Sequence, residues 1–205
     1  MRRSGSSLLF LLVLLLLLPV MVFSQQDPEN GEEEDIVTPM YSLGDQMFFI
    51  NGGIMVPLFF QSLTGEVKKT NLSIGGAGSL AWSAFLNNKL FLGAELGGMF
   101  AVSPLKRVLI QIPITARIGY MFHRYPFDFP LLFGTGIIFT KLQEELYVGP
   151  VFKPGFSFYW NITNEWALGL NCIYWWVPQI YTKDLKNSSR FGNFLEISFS
   201  GLFHF

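Results

Sequence analysis

Four charged residues fall at positions where a β-strand would turn them away from its apolar face: Glu95, Arg117, Lys153 and Glu196. Two acids and two bases sum to zero. Charges forced into a narrow apolar interior are costly unless they are paired and hydrogen-bonded, so this set has the composition of an internal ion network. Such a network can fill a lumen, or it can make an ion-lined or gated passage. Other reactive groups offer less. The two histidines, His123 and His204, lack an acid and a serine at a spacing that would make a nucleophile and its base. Cys172, the single cysteine, falls on an apolar face and cannot form a disulfide within the chain. The residue types point to no catalytic group, no metal site and no cofactor.

The elements that would position the four charges follow from a period of two. Half of the 205 residues are hydrophobic, 17% are aromatic and 14% are charged, too apolar a mixture for an average soluble domain. Beyond the first two dozen residues, however, no run of 18 apolar positions occurs, which disfavours membrane-crossing helices. From Gln46 onward the chain divides instead into eight alternating segments. In the second, Leu72, Ile74, Leu80 and Trp82 take one face while Ser73, Gly75, Ala77, Ser79 and Ser83 take the other. The third sets Glu95 opposite Leu92, Ala94 and Leu96; the fourth sets Gln111, Thr115 and Arg117 opposite Ile110, Ile112, Ile114 and Ile118. Lys153 lies inward on the sixth, and Glu196 on the eighth. Pro113 and Pro154 fall inside segments and predict bulges there, with a slip in register.

Connections alternate in character. Asn87 to Lys89, His123 to Phe129 and Asn161 to Glu165 are compact and would lie on the side of both chain termini. Phe59 to Thr70, Ser103 to Arg107, Lys141 to Tyr147 and Gln179 to Gly192 lie opposite. The longer of these carry the basic residues Lys68, Lys69, Lys183, Lys186 and Arg190, candidates for contact with acidic surfaces. Aromatics collect near both ends of the segments, as expected for two girdles at headgroup depth. Among them are Phe59, Phe60, Phe85, Trp82, Trp160, Trp166 and Trp176. Trp175 faces inward by parity.

The N-terminus has the pattern of a cleavable signal peptide over residues 1–24: Arg2 and Arg3, a leucine run from Leu8 to Leu18, then Val22, Phe23 and the small Ser24. Residues 25–45, with Asp27, Glu29, Glu32, Glu33, Glu34 and Asp35, read as an acidic flexible leader. Residues 46–205 form the remaining domain, whose charge balance gives no footprint for nucleic acid.

The last segment ends the chain as Asn-Phe-Leu-Glu-Ile-Ser-Phe-Ser-Gly-Leu-Phe-His-Phe, alternating apolar and polar and stopping at Phe205. With Phe203 and Phe205 as an aromatic-x-aromatic end, the chain resembles the small bacterial outer-membrane barrels of the OmpX, OmpW and OmpA type. That resemblance implies an all-β fold, an eight-stranded antiparallel up-and-down transmembrane barrel, in the outer membrane of a diderm bacterium with both termini periplasmic. It further implies assembly machinery that reads Phe203 and Phe205, contact with membrane lipid, and a monomeric state. Two activities suit such a barrel: a structural or adhesive surface role carried by the loops, which would meet host or environmental ligands, or a passive channel for small or hydrophobic solutes. An enzyme is not expected.

Overall fold

A computed structural model describes residues 41–104, 107–142, 145–179 and 189–205. The strands are β1 (Gln46–Ser62), β2 (Val67–Lys68), β3 (Gly75–Phe85), β4 (Leu90–Val102), β5 (Val108–Arg124), β6 (Phe127–Leu142), β7 (Glu145–Asn161), β8 (Trp166–Gln179) and β9 (Arg190–His204). β2 is only a two-residue return onto the end of β1, pairing Phe60 with Lys68. The eight long strands pair antiparallel in sequence order, and β9 returns to β1. That last ladder, from Met47 opposite His204 to Ser62 opposite Arg190, closes the sheet. A closed cylinder leaves no edge and satisfies its backbone internally, which is what a strand needs to cross hydrocarbon.

Alternation sorts the side chains as the sequence predicts. Along β5, Gln111, Thr115 and Arg117 are buried, while Ile110, Ile112, Ile114 and Ile118 are 40–47% exposed on the outer face. An outer surface of isoleucine, leucine and phenylalanine this extensive suits lipid and not water.

Several expectations are corrected. Neither interior proline shifts the register: Pro113 stands opposite Ile138 and Pro154 opposite Phe133, within ladders that keep one offset from end to end. A proline removes a donor but adds no residue, so the ladder is interrupted locally and resumes in phase. The shift occurs instead between Pro57 and Phe59 in the β1–β9 ladder, where Leu58 is the extra residue. An extra residue inverts the alternation beyond it. Phe60 consequently faces inward, edge-on to Phe194 at 6.2 Å, and is not part of an outer girdle. Phe85, also expected in a girdle, is 1% exposed and packs inside the barrel. Leu72 precedes β3 and packs against the inner cluster rather than facing out with Ile74.

The segment His123 to Phe129 is not a loop. β5 runs to Arg124 and β6 starts at Phe127, so only Tyr125 and Pro126 turn the chain. On the opposite side β6 extends to Leu142 and β7 begins at Glu145, so most of the stretch from Lys141 to Tyr147 belongs to strands. Of the residues read as leader, 41–45 are described: Tyr41 is buried, and Gly44 donates its amide to the Phe85 carbonyl at 2.9 Å. Residues 1–40, and with them the signal sequence and the acid-rich stretch, lie outside the described residues.

The interior is layered. One apolar cluster, around Met47, Phe49, Phe85, Phe91, Met121 and Leu202, fills the half nearer the tight turns. A second, around Met55, Met99, Leu109, Ile138, Trp175, Val177 and Phe194, fills the half nearer the loops.

Candidate functional site

Between these clusters lie the four charges that parity singles out, and the structure brings them together. Glu95 on β4 is the hub. Lys153, reaching from β7, bonds its Oε1, and Arg117 Nη1 on the neighbouring β5 stands 3.7 Å from Oε2. Lys153 Nζ also lies 3.9 Å from Glu196 Oε2. Glu196 accepts a hydrogen bond from Trp175 Nε1 at 2.9 Å and one from Ser198 Oγ at 3.0 Å. All four are 1–7% exposed.

Aromatic faces complete the cage. The Lys153 ammonium sits 4.2 Å from the Trp175 ring centre, and the Arg117 guanidinium 4.4 Å from that of Phe49. These contacts add cation–π attraction in a desolvated setting. Arg117 pairs with Gly93 on one side and Gly134 on the other, so neither cross-strand partner places a side chain beside it. Sequence reasoning found the four charges but not their aromatic lids.

Next to the ion layer is an uncharged string. Asn171 donates to Asn51 Oδ1 at 3.0 Å, Asn51 donates to Ser79 at 2.8 Å, and Tyr159 lies 3.0 Å from both Asn171 Oδ1 and Ser200 Oγ.

A third polar group closes the turn end, and Asp128, fully buried, is its centre. It accepts hydrogen bonds from the Tyr41 hydroxyl and from Asn161 Nδ2, the latter at 2.8 Å, and it contacts His123 Nδ1. Tyr41 stacks on Phe85 at 4.4 Å, with His204 at 5.3 Å. Burial, and then the charge of Asp128, push the Tyr41 phenol above its ordinary range. The sequence reading missed this group because it took Asp128 for a turn residue. The signal was present: Asp128 alternates with Phe127 and Phe129, whose rings face outward.

At the loop end the interior opens into a cavity of about 230 Å³. Its floor carries Leu109, Val177 and Phe194, with the Gln111 to Thr140 hydrogen bond at 3.2 Å, and its rim carries Arg107 and Arg190. Arg190, expected in a loop, is the first residue of β9. Lys68 lies on β2, exposed and 3.3 Å from Glu66, and Lys69 is exposed beside it. Lys183 and Lys186 lie outside the described residues. Phe203 packs on Trp166 at 4.8 Å and on Phe205 at 5.7 Å. Among the described residues, no group of three His, Cys, Asp or Glu is placed to hold a metal ion.

Comparison with known proteins gives the same architecture. A protein of Borreliella burgdorferi, itself uncharacterised, is 23% identical over 173 residues, 74% of this chain and 79% of its own. One from Treponema pallidum, likewise uncharacterised, is 26% identical over 81 residues, 40% of this chain and 28% of its own. Among solved structures, Neisserial surface protein A superposes with a TM-score of 0.58 at 12% identity, covering 79% of this chain and 97% of that one. The outer membrane protein OprG of Pseudomonas aeruginosa aligns at 0.47 and 14%, over 80% and 98%. A protein-family model matches residues 25–203, so the chain belongs to that family, and its architecture is that of the small eight-stranded outer-membrane β-barrels.

Proposed function

We propose that this is a closed outer-membrane barrel that acts through its loop end, at the cell surface, in an adhesive or ligand-contacting role. One observation carries the reading. The ion layer of Glu95, Arg117, Lys153 and Glu196 is stacked between two dry clusters, and the turn end is stoppered by Tyr41 on Asp128. Eight-stranded barrels are just wide enough for side chains to fill. A buried, mutually neutralised set of charges with aromatic covers is a packing solution, and ions crossing it would have to displace Lys153 from Glu95.

In this reading the tight turns and both chain termini are periplasmic, and Lys68, Lys69 and Arg190 lie at the outer end, where Lys183 and Lys186 are also expected. The barrel works as a monomer in lipid, and Phe203 and Phe205 are the feature read by the assembly machinery. The alternative, a conduit for small or hydrophobic solutes, draws on Thr115 Oγ1 and Arg117 Nε, buried polar atoms without a protein partner where internal water could thread. Single-channel recording of the refolded protein in planar bilayers separates the two. Silent membranes with folded protein are expected; steady unit conductance that Arg117→Ala abolishes would establish the conduit instead.

A further inference from the structure

Resting on the surface-acting reading above, we infer that the loop-end cavity is a binding site for a small amphiphilic anion, a carboxylate or phosphate carried on a short apolar body. The cavity has a closed, mostly apolar floor: Leu109, Val177 and Phe194 are each at most 5% exposed. Its exposed rim holds two guanidinium groups, those of Arg107 and Arg190, and among the described side chains no carboxylate lines it. Neither arginine makes an ion pair with any described side chain, although Glu66, Glu95 and Glu196 engage lysine or arginine elsewhere in the chain. Two like charges around one small cavity repel each other unless an anion lies between them, and guanidinium suits the planar, bidentate capture of carboxylate or phosphate oxygens.

Size narrows the class further. At about 30 Å³ for each water-sized atom, the cavity has room for roughly eight non-hydrogen atoms. That matches a six-carbon carboxylate whose chain points down to Phe194 and whose head stays at the rim. A neutral chain would gain the floor and leave the arginines unpaired; a bare anion would gain the arginines and leave the floor wet.

The test is calorimetric titration of the full barrel in zwitterionic nanodiscs with hexanoate, hexanamide and inorganic phosphate. Hexanoate is expected to bind roughly tenfold or more tightly than either control, and Arg107→Gln with Arg190→Gln is expected to remove that advantage. A second variant, Val177→Trp, fills the floor and should weaken hexanoate while the barrel keeps its heat-modifiable mobility. Nanodiscs containing an anionic phospholipid distinguish the source of the anion: if a lipid headgroup is the natural occupant, hexanoate heat disappears there and returns when the lipid is omitted. Equal binding of hexanoate and hexanamide, or no hexanoate heat in either nanodisc, overturns the inference. Failure here with silent bilayers removes the ligand class alone, whereas steady conductance removes the reading beneath it.

Discussion

Lys153 on β7 bonds Glu95 on β4 through the lumen, three strands away, while Arg117, on the strand next to Glu95, stands farther off at 3.7 Å. The cross-lumen partner, not the neighbour, is the closer one. A contact between strands that are not paired ties separate parts of the wall together, and it does so between two buried side chains, 7% and 3% exposed.

Removing one member of such a pair strands the other. Lys153→Ala is expected to destabilise the folded barrel by about 3–5 kcal/mol, the usual penalty for an uncompensated buried charge. Replacing both, Glu95→Leu with Lys153→Met, removes the closest pair but leaves Arg117 without Glu95 and Glu196 without Lys153, so it should recover only part of the loss. Equilibrium urea unfolding in micelles measures both; a double variant no more stable than the single would mean that the pair is not the unit of stabilisation.

Much of this was legible from alternation alone, because lipid outside and a packed lumen inside give the two faces of a strand opposite chemistry. Glu95, Arg117, Lys153 and Glu196 each stand out as charged residues on otherwise apolar or small-residue strands, and all four face inward. Alternation failed where its phase changed without a marker. Nothing in Val-Pro-Leu-Phe-Phe says that Leu58 is the extra residue, so Phe60 was given the wrong face. His123 to Phe129 reads as a compact turn, with Asp128 inside it, because its Pro and charged residues mask the strand alternation that runs through it. Tyr41 was hidden differently: it belongs to no strand, and only the closed barrel creates the mouth that it fills.

The bulge gives a sharp test of phase. Deleting Leu58 removes the extra residue and leaves Phe60 facing inward opposite Gly192, with every other pair intact. Deleting Ile54, in the regular part of β1, inverts the side chains on one side of the deletion. The first variant is expected to refold with heat-modifiable mobility like the parent, and the second to fail. Equal folding of both would show that the β1–β9 register is not specified as described.

The Tyr41 stopper carries a pH dependence. Its phenol is raised above the ordinary value of 10.0, chiefly by burial, so the docked form holds its proton more tightly than the undocked one. Stability from docking is therefore complete below pH 10 and is lost as pH rises from there toward the folded value. Tyr41→Phe, which deprives Asp128 of a donor, should cost about 1–3 kcal/mol at pH 8, and the difference from the parent should shrink above pH 10. Subtracting the phenolate absorbance of the variant from that of the parent isolates Tyr41; ionisation at or below pH 10 would rule out the buried contact.

Phe205 separates closure from assembly. Its backbone already closes the barrel, donating to the Gln46 carbonyl at 3.0 Å and accepting from the Gln46 amide at 2.9 Å, while its ring is 59% exposed and touches Phe203. An unclosed β9 presents an edge that another protein can pair with, and side chains at that edge can add specificity. Phe205→Ala keeps both backbone bonds, so refolding in micelles should be nearly unchanged. If the aromatic end is what the assembly machinery reads, the amount of folded barrel in cells should still fall severalfold, measured by heat-modifiable mobility of outer-membrane fractions. A parallel loss in micelles would instead assign the ring to stability, because no machinery is present there to read it.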